Sequence, residues 1–191
     1  EDGDGSAVNQ ARKDGATPLL AACQNGHLAV VMLLLNWATD SVVNKQAAKG
    51  HTPLTVATLK GHIQIVKMLL ARPDARNVES DNGDTAAHIA AGVGHVEILK
   101  LLVEKWGVAE VNRRSESTGA TPAWIAASKG HLEVITLLVK KGADLEMPHN
   151  DGATPVYIAA EMGHVAVLEL LIQAGCDVNQ AMKDGATPAH F

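Results

Sequence analysis

The dipeptide Thr-Pro recurs in phase along this chain, at Thr17-Pro18, Thr52-Pro53, Thr121-Pro122, Thr154-Pro155 and Thr187-Pro188. Thr85-Ala86 fills the gap in the series, and successive spacings are 35, 33, 36, 33 and 33 residues. Gly15, Gly50, Gly83, Gly119, Gly152 and Gly185 each stand two residues before a threonine of the series. Nine residues after each of the first five threonines comes a Gly-His pair: Gly26-His27, Gly61-His62, Gly94-His95, Gly130-His131 and Gly163-His164. Such a register describes a tandem array of one small unit, which cannot bury its apolar face until it stacks on its neighbours.

Each position has a physical reading. Threonine caps a helix by accepting an orphan amide, and proline tolerates the first helical position, where an N–H has no partner. The spacing predicts a short first helix such as Leu19 to Asn25, ended by Gly26 in the left-handed conformation that glycine favours. A second helix follows over about His27 to Leu35. Its residues Leu28, Val30, Val31, Leu33, Leu34 and Leu35 are too many for one stripe, so it should meet neighbours on more than one side. The polar stretch after it, as in Gly175-Cys176-Asp177-Val178-Asn179, reads as a loop. Aromatics are only 3% of a chain that is 47% hydrophobic, so small aliphatic residues must fill thin, closely packed layers.

Asp151 to His164, the Leu170-Leu171 pair and Gly175 to Asn179 together resemble the ankyrin repeat. The resemblance covers nearly the whole chain, as about five full units plus a partial one, with starts near 14, 49, 82, 118, 151 and 184. It implies an all-α solenoid of helix-turn-helix pairs with protruding β-hairpin loops, in one domain spanning 1–191. It also implies a concave face built from hairpin tips and first helices. Val8 to Ala11 matches Val178 to Ala181 in phase, and the chain stops inside a first helix. Neither end shows a polar capping unit, so the expectation is a slice of a longer array, monomeric or weakly self-associating through uncapped ends.

The pattern is broken in informative places. The family often has histidine three residues after the threonine; here only His88 and His190 keep it, and Leu20, Thr55, Trp124 and Tyr157 replace it. The first and third units are longer, and each carries a tryptophan just after its second helix, Trp37 and Trp106. These two rings read as anchors folded over their own helix ends.

The chemistry that the sequence excludes is broad. A net charge of -5 lacks the basic footprint of a nucleic-acid binder. No apolar run approaches the ~20 residues of a membrane span. There is no Gly-x-Ser-x-Gly elbow and no phosphate-binding loop, and Gly92-Val93-Gly94 reads as a helix cap, so no enzyme activity and no cofactor are expected. Five of the nine histidines are the Gly-His residues, one per layer. Layers ~8–10 Å apart cannot share an ion at ~2 Å, so no metal is expected and these rings read as helix-start residues bonding locally. Cys23 and Cys176 lie four units apart, beyond disulfide reach. Cys23 reads as a small core residue, and two cysteines fit a reducing, cytoplasmic setting.

Recognition of a protein partner is the function expected. Trp124 and Tyr157 share a phase on neighbouring first helices, with Ser128 and Glu161 one turn on and Lys129 and Met162 beside those. The rings either pack between layers in place of the family's histidine or form a binding hot spot. Tip residues Asn82, Asp84, Thr118 and Asp151 complete the candidate surface. Asn179 is a candidate for hydroxylation by resemblance, against the reading that it bonds its own turn. The alternative function is a non-catalytic arm of a larger enzyme, channel or bacterial effector.

Overall fold

The computed structural model describes residues 9–180. Val8 and the partial sixth unit, with Thr187-Pro188 and His190, lie outside them. The chain divides into two compact units, Glu1–Ala86 and Ala87–Phe191. The first holds α1 (Pro18–Asn25), α2 (Leu28–Leu35), the short α3 (Asp40–Val43), α4 (Pro53–Leu59) and α5 (Ile63–Ala71). The second holds α6 (Ala86–Val93, begun one residue earlier), α7 (Val96–Trp106), α8 (Pro122–Lys129), α9 (Leu132–Lys140), α10 (Pro155–Glu161) and α11 (Val165–Gln173).

The threonines do what their chemistry suggests. The hydroxyls of Thr17, Thr52, Thr121 and Thr154 accept the amides of Leu20, Thr55, Trp124 and Tyr157 at 3.1–3.3 Å, with proline at the start of each helix. All four are buried, so each hydroxyl satisfies an amide that water cannot reach. Gly26 and Gly130 end α1 and α8 in the left-handed region, at φ 74° and 72°. Alanines line the first helices: Ala22, Ala57, Ala87, Ala90, Ala91, Ala123, Ala126, Ala127 and Ala159 are all buried. Small side chains let α1 approach α4, and α8 approach α10. Second helices carry the larger core residues, and α9 packs on α7, α8 and α11. Ile98, Leu99, Leu102, Val134, Ile135, Leu138 and Leu171 are fully enclosed. The expectation of several apolar faces holds there. On α2 only Val31 and Leu35 are buried, while Leu28, Val30, Met32 and Leu33 are exposed.

The protruding loops are hairpin turns with no strand among the described residues. Each closes on a pair of backbone bonds, as in His149 N to Ala153 O (2.9 Å) and Gly152 N to His149 O (3.0 Å). Gly152, at φ 99°, takes the left-handed position that such a turn requires. Consecutive tips are stitched by single backbone bonds: Ala48 N to Asp14 O, Asp81 N to Lys49 O and Asn150 N to Thr118 O.

Two expectations are corrected here. Three of the five Gly-His rings do not bond locally. His62, His131 and His164 reach back to the preceding unit, where Nε2 meets the carbonyls of Gln24, Gly92 and Ser128 at 3.1–3.3 Å. A carbonyl only accepts, so Nε2 carries the proton. Gln24 and Ser128 lie in the last turns of α1 and α8 and Gly92 in that of α6, where carbonyls lack helical partners. A Cβ on Gly26, Gly94 or Gly130 would strike the ring that reaches back to it, so glycine serves here for close approach as well as for capping. Trp37 does not anchor the first long connection either, being 54% exposed. The buried Val42 and Val43 of α3 hold that segment, with Arg72, which pairs with Asp74 at 2.8 Å and donates to the carbonyls of Leu35 and Ala38. In the third repeat Trp106 ends α7 half-buried, and the segment after it turns through Val108–Glu110 and buries Val111.

Candidate functional site

The residue three after each capping threonine decides how one first helix meets the next tip. His88 is buried, and its Nε2 donates to the carbonyl of Ala120 at 3.1 Å. Trp124 makes the same reach with an indole: Nε1 donates to the carbonyl of Ala153 at 3.0 Å. Ala120 and Ala153 each stand one residue before a capping threonine, and each carbonyl also accepts a hairpin amide, from Ser115 and His149. Two lone pairs allow both bonds. A side-chain N–H at this position thus locks a helix to the tip of the following unit.

In the second unit this lock is the base of an aromatic cluster. The half-buried Trp124 ring stacks on His149, with centroids 4.6 Å apart and planes 21° from parallel. His149 Nδ1 in turn lies 2.9 Å from Asp151 Oδ1. Burial raises the Asp151 carboxyl a little, but the Ala153 amide and His149 outweigh it and hold it below its ordinary value. Asn150 bridges back to the previous tip: its amide bonds the Thr118 carbonyl at 2.9 Å, and its side chain meets Ser117 and Arg114. Helix, tip and neighbouring tip therefore present one surface that carries a stacked aromatic pair half open to solvent.

Of the residues singled out from sequence, Trp124, Asp151 and Thr118 come together here. Tyr157 is on the next helix but 6% exposed, so its ring is core rather than surface. Ser128 is half-buried and its carbonyl is taken by His164. Lys129, Glu161 and Met162 are exposed at the opposite ends of α8 and α10. Asn82 and Asp84 belong to the first unit, on the tip closed by Ser80. Asn179 is exposed, and its amide bonds Asp177 Oδ1 at 2.8 Å in a local turn. His149 was not placed in the site by sequence reasoning; the signal was its tip position opposite an aromatic at the locking phase. Burial pushes the Cys23 thiol up to about 12, and burial followed by Glu146 pushes Cys176 up to about 11, so neither thiol is poised as a nucleophile.

A family model of ankyrin repeats in three copies matches residues 4–78 and again 71–149, and one of the single ankyrin repeat matches 151–183. The chain belongs to the ankyrin repeat family. Ankyrin repeats are in general a protein-interaction module, and no catalytic domain is identified in the match. No curated protein matches the chain. Among the described residues of this ankyrin repeat chain, no helix is long and apolar enough to cross a membrane.

Proposed function

We propose that the chain is a non-catalytic recognition module that binds a protein partner on the face shared by its hairpin tips and first helices. The observation that carries this reading is the Trp124–His149 stack with Asp151 at its edge. A rigid aromatic pair beside a half-open carboxylate offers contact area at low ordering cost, which is the make-up of a hot spot. Thr118 and, further along the helices, Ser128, Lys129, Glu161 and Met162 extend the surface, with the buried Tyr157 packed beneath it. Asn82 and Asp84 form a separate candidate contact in the first unit. The two unpaired thiols support a reducing, cytoplasmic setting, and Asn179 stays a candidate for hydroxylation.

The test uses partners captured on the immobilised chain. His149→Ala and Asp151→Lys should each weaken a directly binding partner about 30-fold, the equivalent of ~2 kcal/mol, with unchanged melting temperature. Glu133→Lys, on the exposed side of α9, should change affinity less than threefold. Full affinity in both tip variants together with loss in Glu133→Lys would move recognition to the second helices.

A further inference from the structure

We infer that the first unit carries its own recognition site, a cavity beside α1 and α4 that takes an aliphatic side chain of a peptide flanked by carboxylates. The inference rests on reading the tips and first helices as the recognition face, but not on Trp124. The cavity arises from a missing lock. At the locking phase α1 has Leu20, which carries no donor. The carbonyl of His51, one residue before Thr52, receives only its hairpin bond from Ala47 at 2.8 Å among the described residues. Space that Trp124 occupies in the second unit is left as a cavity of about 280 Å³.

Its size and lining select the occupant. Pockets for whole small molecules run from roughly 300 to 1,000 Å³, so this one suits an anchoring side chain. Leu20, Val56 and Leu59 give it an aliphatic floor. His51 and Gln24 add polar groups to its wall. Charge sets the flanks. Arg12 and Lys13 on the first tip, Lys45 and Lys49 around the second, and Lys60 on the cavity wall are all exposed. The carboxylate among them, Asp14, already accepts the Ala16 amide at 3.1 Å. The third tip, with Asp81 and Asp84, is acidic and joins the second through the Asp81 amide. Acidic residues of a bound peptide therefore belong over the first two tips, with its aliphatic residue between them.

The experiment is a methyl NMR titration of the whole chain with four probes. These are pools of blocked heptapeptides with a central leucine flanked by Asp and Glu, the same with Lys and Arg, an acidic pool with central alanine, and a twelve-residue oligothymidine. The acidic leucine pool should shift the methyls of Leu20, Val56 and Leu59 at a concentration at least tenfold below that needed by the others. Lys60→Glu should raise that concentration at least tenfold with unchanged melting temperature. Leu20→Trp should close the cavity and abolish the response; if that variant misfolds, Lys60→Glu decides alone. Equal responses to all peptide pools, an unaltered response in Lys60→Glu, or stronger shifts from the oligonucleotide would overturn the inference. Trp124→Ala should leave the response intact, so a silent cavity beside Trp124-dependent partner binding would sink this inference and not the recognition reading.

Discussion

The seam between α1 and α4 and the seam between α8 and α10 are built from the same parts and end differently. In both, a threonine–proline cap starts each helix and buried alanines bring the helices close. In both, a histidine from the following unit reaches back to a terminal carbonyl, His62 in one and His164 in the other. They diverge at one side chain per seam. Trp124 donates across to Ala153 and fills the space, whereas Leu20 has nothing to donate and leaves a cavity. Repetition supplies the frame, and the locking position decides whether a seam becomes an aromatic surface or an open pocket.

The strongest way to break the contrast is to remove the lock. Trp124→Ala deletes a half-buried ring, its stack on His149 and its bond to Ala153, so it should cost about 3 kcal/mol in urea denaturation. Trp124→His, which keeps a donor, should recover part of that loss. A cost under ~0.5 kcal/mol, the scale of ordinary surface substitutions, would mean that the ring only decorates the surface.

The next variants address what the two seams share. Gly26→Ala and Gly130→Ala should be equally damaging, since both force a left-handed residue to carry a Cβ that strikes a histidine ring. Gly163→Ala meets nothing within 4 Å and should show only the backbone penalty of roughly 1–2 kcal/mol. Equal denaturation midpoints for Gly130→Ala and Gly163→Ala would show that the histidine contact adds nothing.

The smallest effect is on pH. Asp151 has a folded value below its unfolded one, so its contribution is present above the ordinary carboxyl range and fades as pH falls through the lowered value. The stability difference between the chain and Asp151→Asn should therefore shrink on acidification. A difference that grows as pH falls would reverse the sign of the His149–Asp151 interaction.

The fold was legible because its signals are local and repeated: caps, left-handed glycines and aliphatic runs each act within one unit. The Gly-His contact was misread as local because its partner lies 36 to 39 residues away, a distance that only stacking closes. Trp37 was read as an anchor because an apolar ring beside a long loop invites that role. The anchors are instead Val42 and Val43, which a loop-like sequence conceals inside a four-residue helix, and Arg72, which reaches over from the end of α5. At the candidate site the phase of Trp124 was visible, but His149 as its stacking partner was not, since tip and helix meet only across units. The cavity had a trace in the sequence, Leu20 at a phase where the other first helices carry rings or, at Thr55, a hydroxyl turned back on its own cap.

Hydrogen exchange of the tryptophan indole protons, followed by NMR, tests the locking role most directly. Trp124 Nε1–H is held by the Ala153 carbonyl, while Trp37 is more than half exposed. Protection of Trp124 should exceed that of Trp37 by about 100-fold or more, tracking the opening of the α8–α10 seam rather than free solvent access. Exchange of Trp124 as fast as that of Trp37 would contradict the lock, and with it the explanation of why one seam is filled and the other open.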